Sequence, residues 1–239
     1  MELLCVRSGK WMMTHMHDFT KITGAIVDMD GTILDSTEAW DACAPALLTL
    51  WGYTPKPTLE EDVYPLGTLD IADFLKRDYD MTQSVEEIYK AITDRMDHYY
   101  QAEAELKPGA KELLLYLKAR GVKLTLATAT VKTCAMPALK LTGVEDLFDH
   151  VITCDEIGHT KREPHIFLEA MERMGTKPET TWLFEDAVHS VSTAKALGLI
   201  CCGVADSSAE FQRAEMLRQC DFFLEDLRKW TELPFVSPD

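Results

Sequence analysis

The chain has 239 residues, 46% hydrophobic and 27% charged, the composition of a globular protein that can bury a full core as one domain, or as one domain with a smaller insert. A formal net charge of −16 without a Lys/Arg cluster argues against a nucleic-acid partner, and any anion site must be rescued locally by cations and backbone N–H groups. The apolar runs are too short to span a bilayer, and seven irregularly spaced cysteines with no CxxC suit reduced thiols in a cytoplasmic protein better than a disulfide framework or a zinc site.

Met1 to Asp18 lacks the apolar core and cleavage site of a signal peptide, and residues 1–20 are expected to form a variable N-terminal extension. Gly24 to Val27 then reads as a buried parallel strand running out into Asp28 and Asp30, two carboxylates one residue apart. Such a pair can hold a divalent cation or divide nucleophile and acid/base roles. From Ser36 to Glu105 the pattern is helical only. Ser36 reads as the N-cap of a helix through Trp40 and Leu47, which Pro45 is expected to kink or break. Two Pro-rich turns, Thr54 to Pro57 and Tyr64 to Gly67, punctuate the segment. Ser84-Val85-Glu86-Glu87 forms a capping box, and Ile88, Ile92, Met96 and Tyr99 continue as a helical stripe. This insert of about 70 residues leaves the sheet just after the two aspartates, so it can lie over them as a lid.

Strands and helices alternate in the remainder. Pro108 to Arg120 is a helix ending at Gly121, and Lys123 to Ala127 is a strand running into Thr128. Val151 to Cys154 runs into Asp155 and Glu156. Helix Pro164 to Met174 precedes strand Thr181 to Phe184, which runs into Glu185 and Asp186. Helix Ala187 to Leu197 ends at Gly198, and Ile200 to Val204 follows, with Cys201 and Cys202 as small buried hydrophobes. Phe222 to Leu224 is a short sixth candidate. This alternation implies an α/β fold with a parallel sheet covered on both faces. Ligands of such sheets bind beyond the carboxyl ends of the strands. There Asp28, Asp186 and the backbone carbonyl of Asp30 could ligate Mg²⁺, Thr128 could donate to a phosphate oxygen, and Lys161 could neutralise charge.

Four segments together resemble the haloacid dehalogenase superfamily of phosphohydrolases. Asp28-Met29-Asp30-Gly31-Thr32 is similar to its DxDGT signature, and Thr128, Lys161 ahead of Pro164, and Glu185-Asp186 resemble its second, third and fourth motifs, in order. The resemblance runs from about Gly24 to the C-terminus. It implies a Rossmann-like core over residues 21–35 and 106–239 and an all-helical cap over residues 36–105, as in phosphoglycolate phosphatase and β-phosphoglucomutase. It further implies that Asp28 is the nucleophile, Asp30 the proton carrier, Thr128 and Lys161 phosphate-handling residues, and Asp28, Asp30, Glu185 and Asp186 the surroundings of Mg²⁺. The implied activity is hydrolysis of a small phosphomonoester, a sugar phosphate or a phosphoglycolate-like metabolite, by a monomer or weak dimer.

The third motif departs from the family pattern at Arg162 and His165, and Ser190 stands where the family commonly has glycine. A phosphomutase is the alternative. It needs a cationic cap site for a second phosphate; Lys76 and Arg77 are the nearest candidates, and Thr68-Leu69-Asp70 offers no arginine. A dehalogenase has no use for Asp30 or the Glu185-Asp186 pair, a phosphonatase usually lacks the second aspartate, and a non-catalytic sensor would be expected to erode one of these positions. Asp35 is read as positioning the chain, His98, Tyr99 and His189 as packing residues, and Gly67 to Asp70 either as a specificity loop or as a plain turn.

Overall fold

In a computed structural model, which describes residues 18–63, 66–207 and 209–236, the run Gly24–Val27 is strand β1 and is buried along its whole length. Most of the extension expected at residues 1–20 lies outside the described residues. Four helices follow β1: α1 (Thr37–Leu50), α2 (Leu59–Val63), α3 (Thr68–Asp78) and α4 (Val85–Ala102). The chain continues through α5 (Ala110–Ala119), β2 (Lys123–Thr128), α6 (Lys132–Thr142), β3 (His150–Thr153), α7 (Cys154–Ile157), α8 (His165–Met174), β4 (Thr181–Glu185), α9 (Val188–Ala196), β5 (Ile200–Val204), α10 (Arg213–Gln219) and β6 (Phe222–Leu224).

The six strands form one parallel sheet in the order β3-β2-β1-β4-β5-β6. Period-two alternation sends Ala25 and Val27 to one face, with Leu113, Leu117 and Leu139. It sends Ile26 to the other face, with Phe167, Ala170 and Val191. Helices therefore cover both faces, as the near-continuous apolar strands require. Strand order reverses at β1: the chain goes outward through β2 and β3, then returns to β4 on the other side. Val27 is in register with Leu126 and Phe184, so β1, β2 and β4 run out at one edge. That crevice is where an open α/β sheet binds its ligand.

Residues 36–105 hold α1 to α4 and no strand among the described residues. The chain leaves and re-enters the sheet layer side by side: Asp35 N–H donates to Glu105 at 2.9 Å, and Lys107 N–H donates to Ile33 at 2.8 Å. Within this segment α4 packs on α1 and α3, and it also rests on α6 of the sheet layer.

Three details differ from the sequence reading. Helix α1 runs through Pro45 without a break. The missing N–H and ring clash cost about 3 kcal/mol, and burial of Cys43, Ala44, Leu47 and Leu48 around it opposes that loss. Ser36 makes no capping bond; its hydroxyl is buried beside the Asp30 carboxyl instead. The buried stripe of α4 is Ile88, Ile92, Met96 and Tyr100, not Tyr99. The capping box at Ser84 and Glu87 is formed, with both reciprocal bonds present.

Candidate active site

Asp28 follows β1 directly, and its N–H donates to the Phe184 carbonyl at 3.0 Å, which continues the β1–β4 ladder by one residue. The residue is 6% exposed. Lys161, 5% exposed, reaches it from the loop between α7 and α8, bonding Asp28 Oδ1 and, at 3.0 Å, Glu185 Oε1. Glu185 ends β4. Its second oxygen accepts the N–H groups of Asp186 at 2.7 Å and Ala187 at 3.0 Å. Burial alone would disfavour the Glu185 carboxylate, but the Lys161 charge, Ser190 and the Ala187 N–H together pull it down to about 2. Asp28 goes the other way. Burial outweighs the attraction of Lys161, and with Glu185 and Asp30 nearby its carboxyl rises to about 7. For Lys161 burial opposes the charge, and the two carboxylates more than restore it.

Asp186 is anchored by a residue of the first loop: Thr32 Oγ1 donates to its Oδ1 at 2.9 Å. Gly31 turns the chain there at φ +73°, and a Cβ on it would lie 2.6 Å from Asp186 Oδ2, so this position admits only glycine. Burial, then Glu185 and Asp28, push the Asp186 carboxyl well above its ordinary range. Asp28, Glu185 and Asp186 bring one oxygen each within 4.8 Å of one another. Three clustered carboxylates face one ammonium. That charge excess and the all-oxygen donor set fit a hard divalent cation.

Asp30 is held from both sides. Thr130 Oγ1 donates to its Oδ2 at 2.6 Å and Tyr100 of α4 donates to its Oδ1 at 2.8 Å. Trp40 of α1 in turn donates its Nε1–H to the Tyr100 oxygen at 2.9 Å. Burial raises the Asp30 carboxyl against these bonds, and burial beside Asp30 raises the Tyr100 phenol far above its usual range. Thr128, 1% exposed at the end of β2, accepts the Thr130 N–H at 3.0 Å, which leaves its own hydrogen available to a ligand oxygen.

Asp28, Asp30, Thr128, Lys161, Glu185 and Asp186 thus line one cavity of about 340 Å³ between the strand ends and the helices of residues 36–105. Gly67 and Thr68 line it too, whereas Asp70 does not. His189 lines it, half-buried, with its imidazole held below the ordinary value by burial. Lys76 and Arg77 lie elsewhere, bonded to the Met81 carbonyl and to Asp73. Asp155 and Glu156 fall in α7 rather than at a strand end, and Glu156 pairs with Lys132 and Arg173 on the surface. The unusual residues of the third motif, Arg162 and His165, are both exposed, and His165 clusters with His159 and Glu163 on the exposed side of the Lys161 loop. Asp35 positions chain rather than ligand, since its carbonyl accepts the Tyr99 hydroxyl at 3.0 Å.

Sequence reasoning missed Tyr100, Trp40, Thr32 and a support beneath the first loop. There Lys107 binds the carbonyls of Gly31 and Ala205 and, at 2.6 Å, Asp206, which also accepts Thr37 at 2.8 Å. The i+4 spacing of Ile88, Ile92 and Met96 points to Tyr100 and was the available signal. Lys107 and Asp206 carry no motif.

A doubly covered parallel sheet with acids and one lysine gathered at its switch point defines an α/β enzyme of the phosphate-handling kind. Residues 22–198 match the model of the haloacid dehalogenase-like hydrolases, and the chain belongs to that family. Among curated relatives, a phosphorylated carbohydrates phosphatase of Thermotoga maritima is 25% identical over 73% of this chain and 81% of its own. The pyrophosphatase PpaX of Bacillus velezensis is 30% identical over 77% and 84%. A solved structure described as a predicted phosphoglycolate phosphatase from Haemophilus somnus superimposes with a TM-score of 0.75 at 17% identity, covering 88% of this chain and 97% of that one, a likeness of fold. Among the described residues no helix is long and apolar enough to cross a membrane.

Proposed function

We propose that the protein is a Mg²⁺-dependent phosphatase that hydrolyses a small phosphomonoester through an aspartyl-phosphate on Asp28, with residues 36–105 acting as a cap over a core of residues 21–35 and 106–239. The observation that carries this reading is the division of labour between two aspartates one residue apart. Asp28 is paired with an ammonium and clustered with Glu185 and Asp186, while Asp30 is held only by hydroxyl groups. A carboxylate approaches a phosphate dianion only when cations screen the repulsion, and Lys161 supplies one of them. Asp28, Asp186 and the backbone carbonyl of Asp30 would hold Mg²⁺, with Glu185 fixing Lys161 and the Asp186 backbone beside them. When bound, the ion neutralises charge on the phosphoryl oxygens.

Asp28 attacks phosphorus, and Asp30 gives its proton to the departing oxygen. Asp30 then takes a proton from the water that opens the phosphoaspartate. Thr128 donates its hydroxyl hydrogen to a phosphoryl oxygen, and Thr130 and Tyr100 keep Asp30 pointed at the leaving group. The relatives named as phosphatase and pyrophosphatase support phosphoryl transfer in this chain. The mutase alternative lacks support, because Lys76 and Arg77 are engaged elsewhere. The six described cysteines are all unpaired thiols, which supports a reducing, cytoplasmic location.

Hydrolysis of p-nitrophenyl phosphate with added Mg²⁺, with EDTA, and with Mg²⁺ returned tests the proposal. Activity that falls with chelation and returns with the metal supports it; activity indifferent to EDTA would falsify it.

A further inference from the structure

Resting on the phosphatase reading, we infer that the group released from phosphate is a ring-bearing alcohol of about nucleoside size, rich in N–H and O–H donors and free of a second anion. The wall of the cavity opposite the strand ends carries this inference. It is built by Trp40, Leu66, Ile71 and Met96, with the carboxylates of Asp41 and Glu60 set among them. Lys161 is the one lysine or arginine among the described residues lining the cavity, and it is committed to Asp28 and Glu185.

A second phosphate or a carboxylate on the leaving group would therefore face Asp41 and Glu60 with no counter-charge. Juxtaposed like charges in a partly desolvated site oppose binding strongly. Asp41 already feels such crowding: burial, then Glu60 and Asp206, push its carboxyl up to about 6. Carboxylates accept hydrogen bonds and donate none while ionised, so they select N–H and O–H donors. Trp40, Leu66, Ile71 and Met96 in the lining offer apolar contact, which suits the surface of a ring. The cavity is also larger than a two-carbon leaving group would fill, and it sits at the small end of sites that enclose a whole organic ligand.

The test is kcat/KM with Mg²⁺ for uridine 5′-monophosphate against 2-phosphoglycolate, ribose 1,5-bisphosphate and pyrophosphate, in the wild type and in Asp41→Lys and Asp41→Asn. The wild type is expected to favour the nucleotide by about tenfold or more. Asp41→Lys should move the ratio toward the bisphosphate by about tenfold, mostly through KM, and Asp41→Asn should move it less in the same direction. A wild type that prefers the anionic substrates, or a ratio that neither variant moves, overturns the inference while leaving a phosphatase in place. Absence of turnover with every substrate, p-nitrophenyl phosphate included, overturns the phosphatase reading on which the inference rests.

Discussion

At the strand ends Asp28, Glu185 and Asp186 each hold another residue of the same edge, whereas α1 and α4 face the same cavity with Trp40, Met96 and two phenols, Tyr89 and Tyr100. The edge is made of groups that disfavour one another. Asp28 and Asp186 are pushed up by burial and by their acidic neighbours, and one lysine offsets only part of that repulsion. The helical side is built on apolar contact, with Tyr100 and Trp40 as its polar reach into the edge. On the proposed function, reactivity is concentrated on one side and selection on the other. A change at the edge should therefore alter chemistry and metal affinity, and a change in the helices should alter rate modestly or substrate choice.

The largest effect is expected from Asp28→Asn. Loss of a nucleophile that acts as part of a unit lowers kcat by about 10⁴-fold or more. Without added metal the variant should melt no lower than the wild type, because it removes a buried carboxyl that is costly to ionise. Steady-state kinetics and thermal melting check both parts, and a variant that is active or grossly unfolded breaks the comparison.

Thr32→Val comes next. It removes the donor that orients Asp186, and loss of such a support weakens metal affinity by about 10–100-fold. A Mg²⁺ titration of activity reads this directly. An unchanged half-saturating concentration would mean that Asp186 needs no orientation from the first loop.

Tyr100→Phe tests the helical side. A hydrogen bond to a carboxylate is worth about 1.5–3 kcal/mol, so kcat/KM should fall by about 10–100-fold, with some loss of melting temperature because Trp40 also loses its acceptor. A loss as large as that of Asp28→Asn would place chemistry in the helices and erase the contrast.

The smallest effect is on stability against pH. Asp28 has a folded pKa of about 7, above the ordinary value of 3.8, so the folded state binds more protons than the unfolded chain between those values. Stability of the metal-free protein should accordingly fall as pH rises from about 4 to about 7. Glu185 works in the opposite sense lower down: its pKa of about 2 contributes stability above pH 4.5 that is lost as pH falls toward 2. The melting temperature in EDTA is expected to drop by a few degrees between pH 5 and pH 8, at about 2–4 °C per kcal/mol, and saturating Mg²⁺ should remove most of that drop. A flat profile in EDTA would show that the clustered carboxylates carry no strain.

The same contrast explains what could be read from the chain alone. Strand ends are legible because a parallel sheet delivers them all to one edge. The positions of Asp28, Asp30, Thr128 and the Glu185-Asp186 pair at that edge follow from the strand pattern alone. Lys161 could be placed only through its motif, since it comes from a loop. The helices were legible as helices, yet not in their facing. Tyr99 and Tyr100 both fit a helical stripe after Met96, at three and four residues, and packing selected Tyr100. Pro45 breaks the local rule, and its neighbours' burial overrides it. Lys107 and Asp206 meet across 99 positions of sequence and have no local pattern to announce them.

The most direct test of Asp28 as the covalent centre is borohydride reduction during turnover, followed by peptide mass spectrometry. A phosphoaspartate is an activated acyl group, and reduction converts that residue to homoserine while free carboxylates survive. The account predicts homoserine at position 28 only when substrate and Mg²⁺ are both present. An unmodified Asp28 under those conditions, or modification at Asp30 or Asp186 in its place, would contradict it.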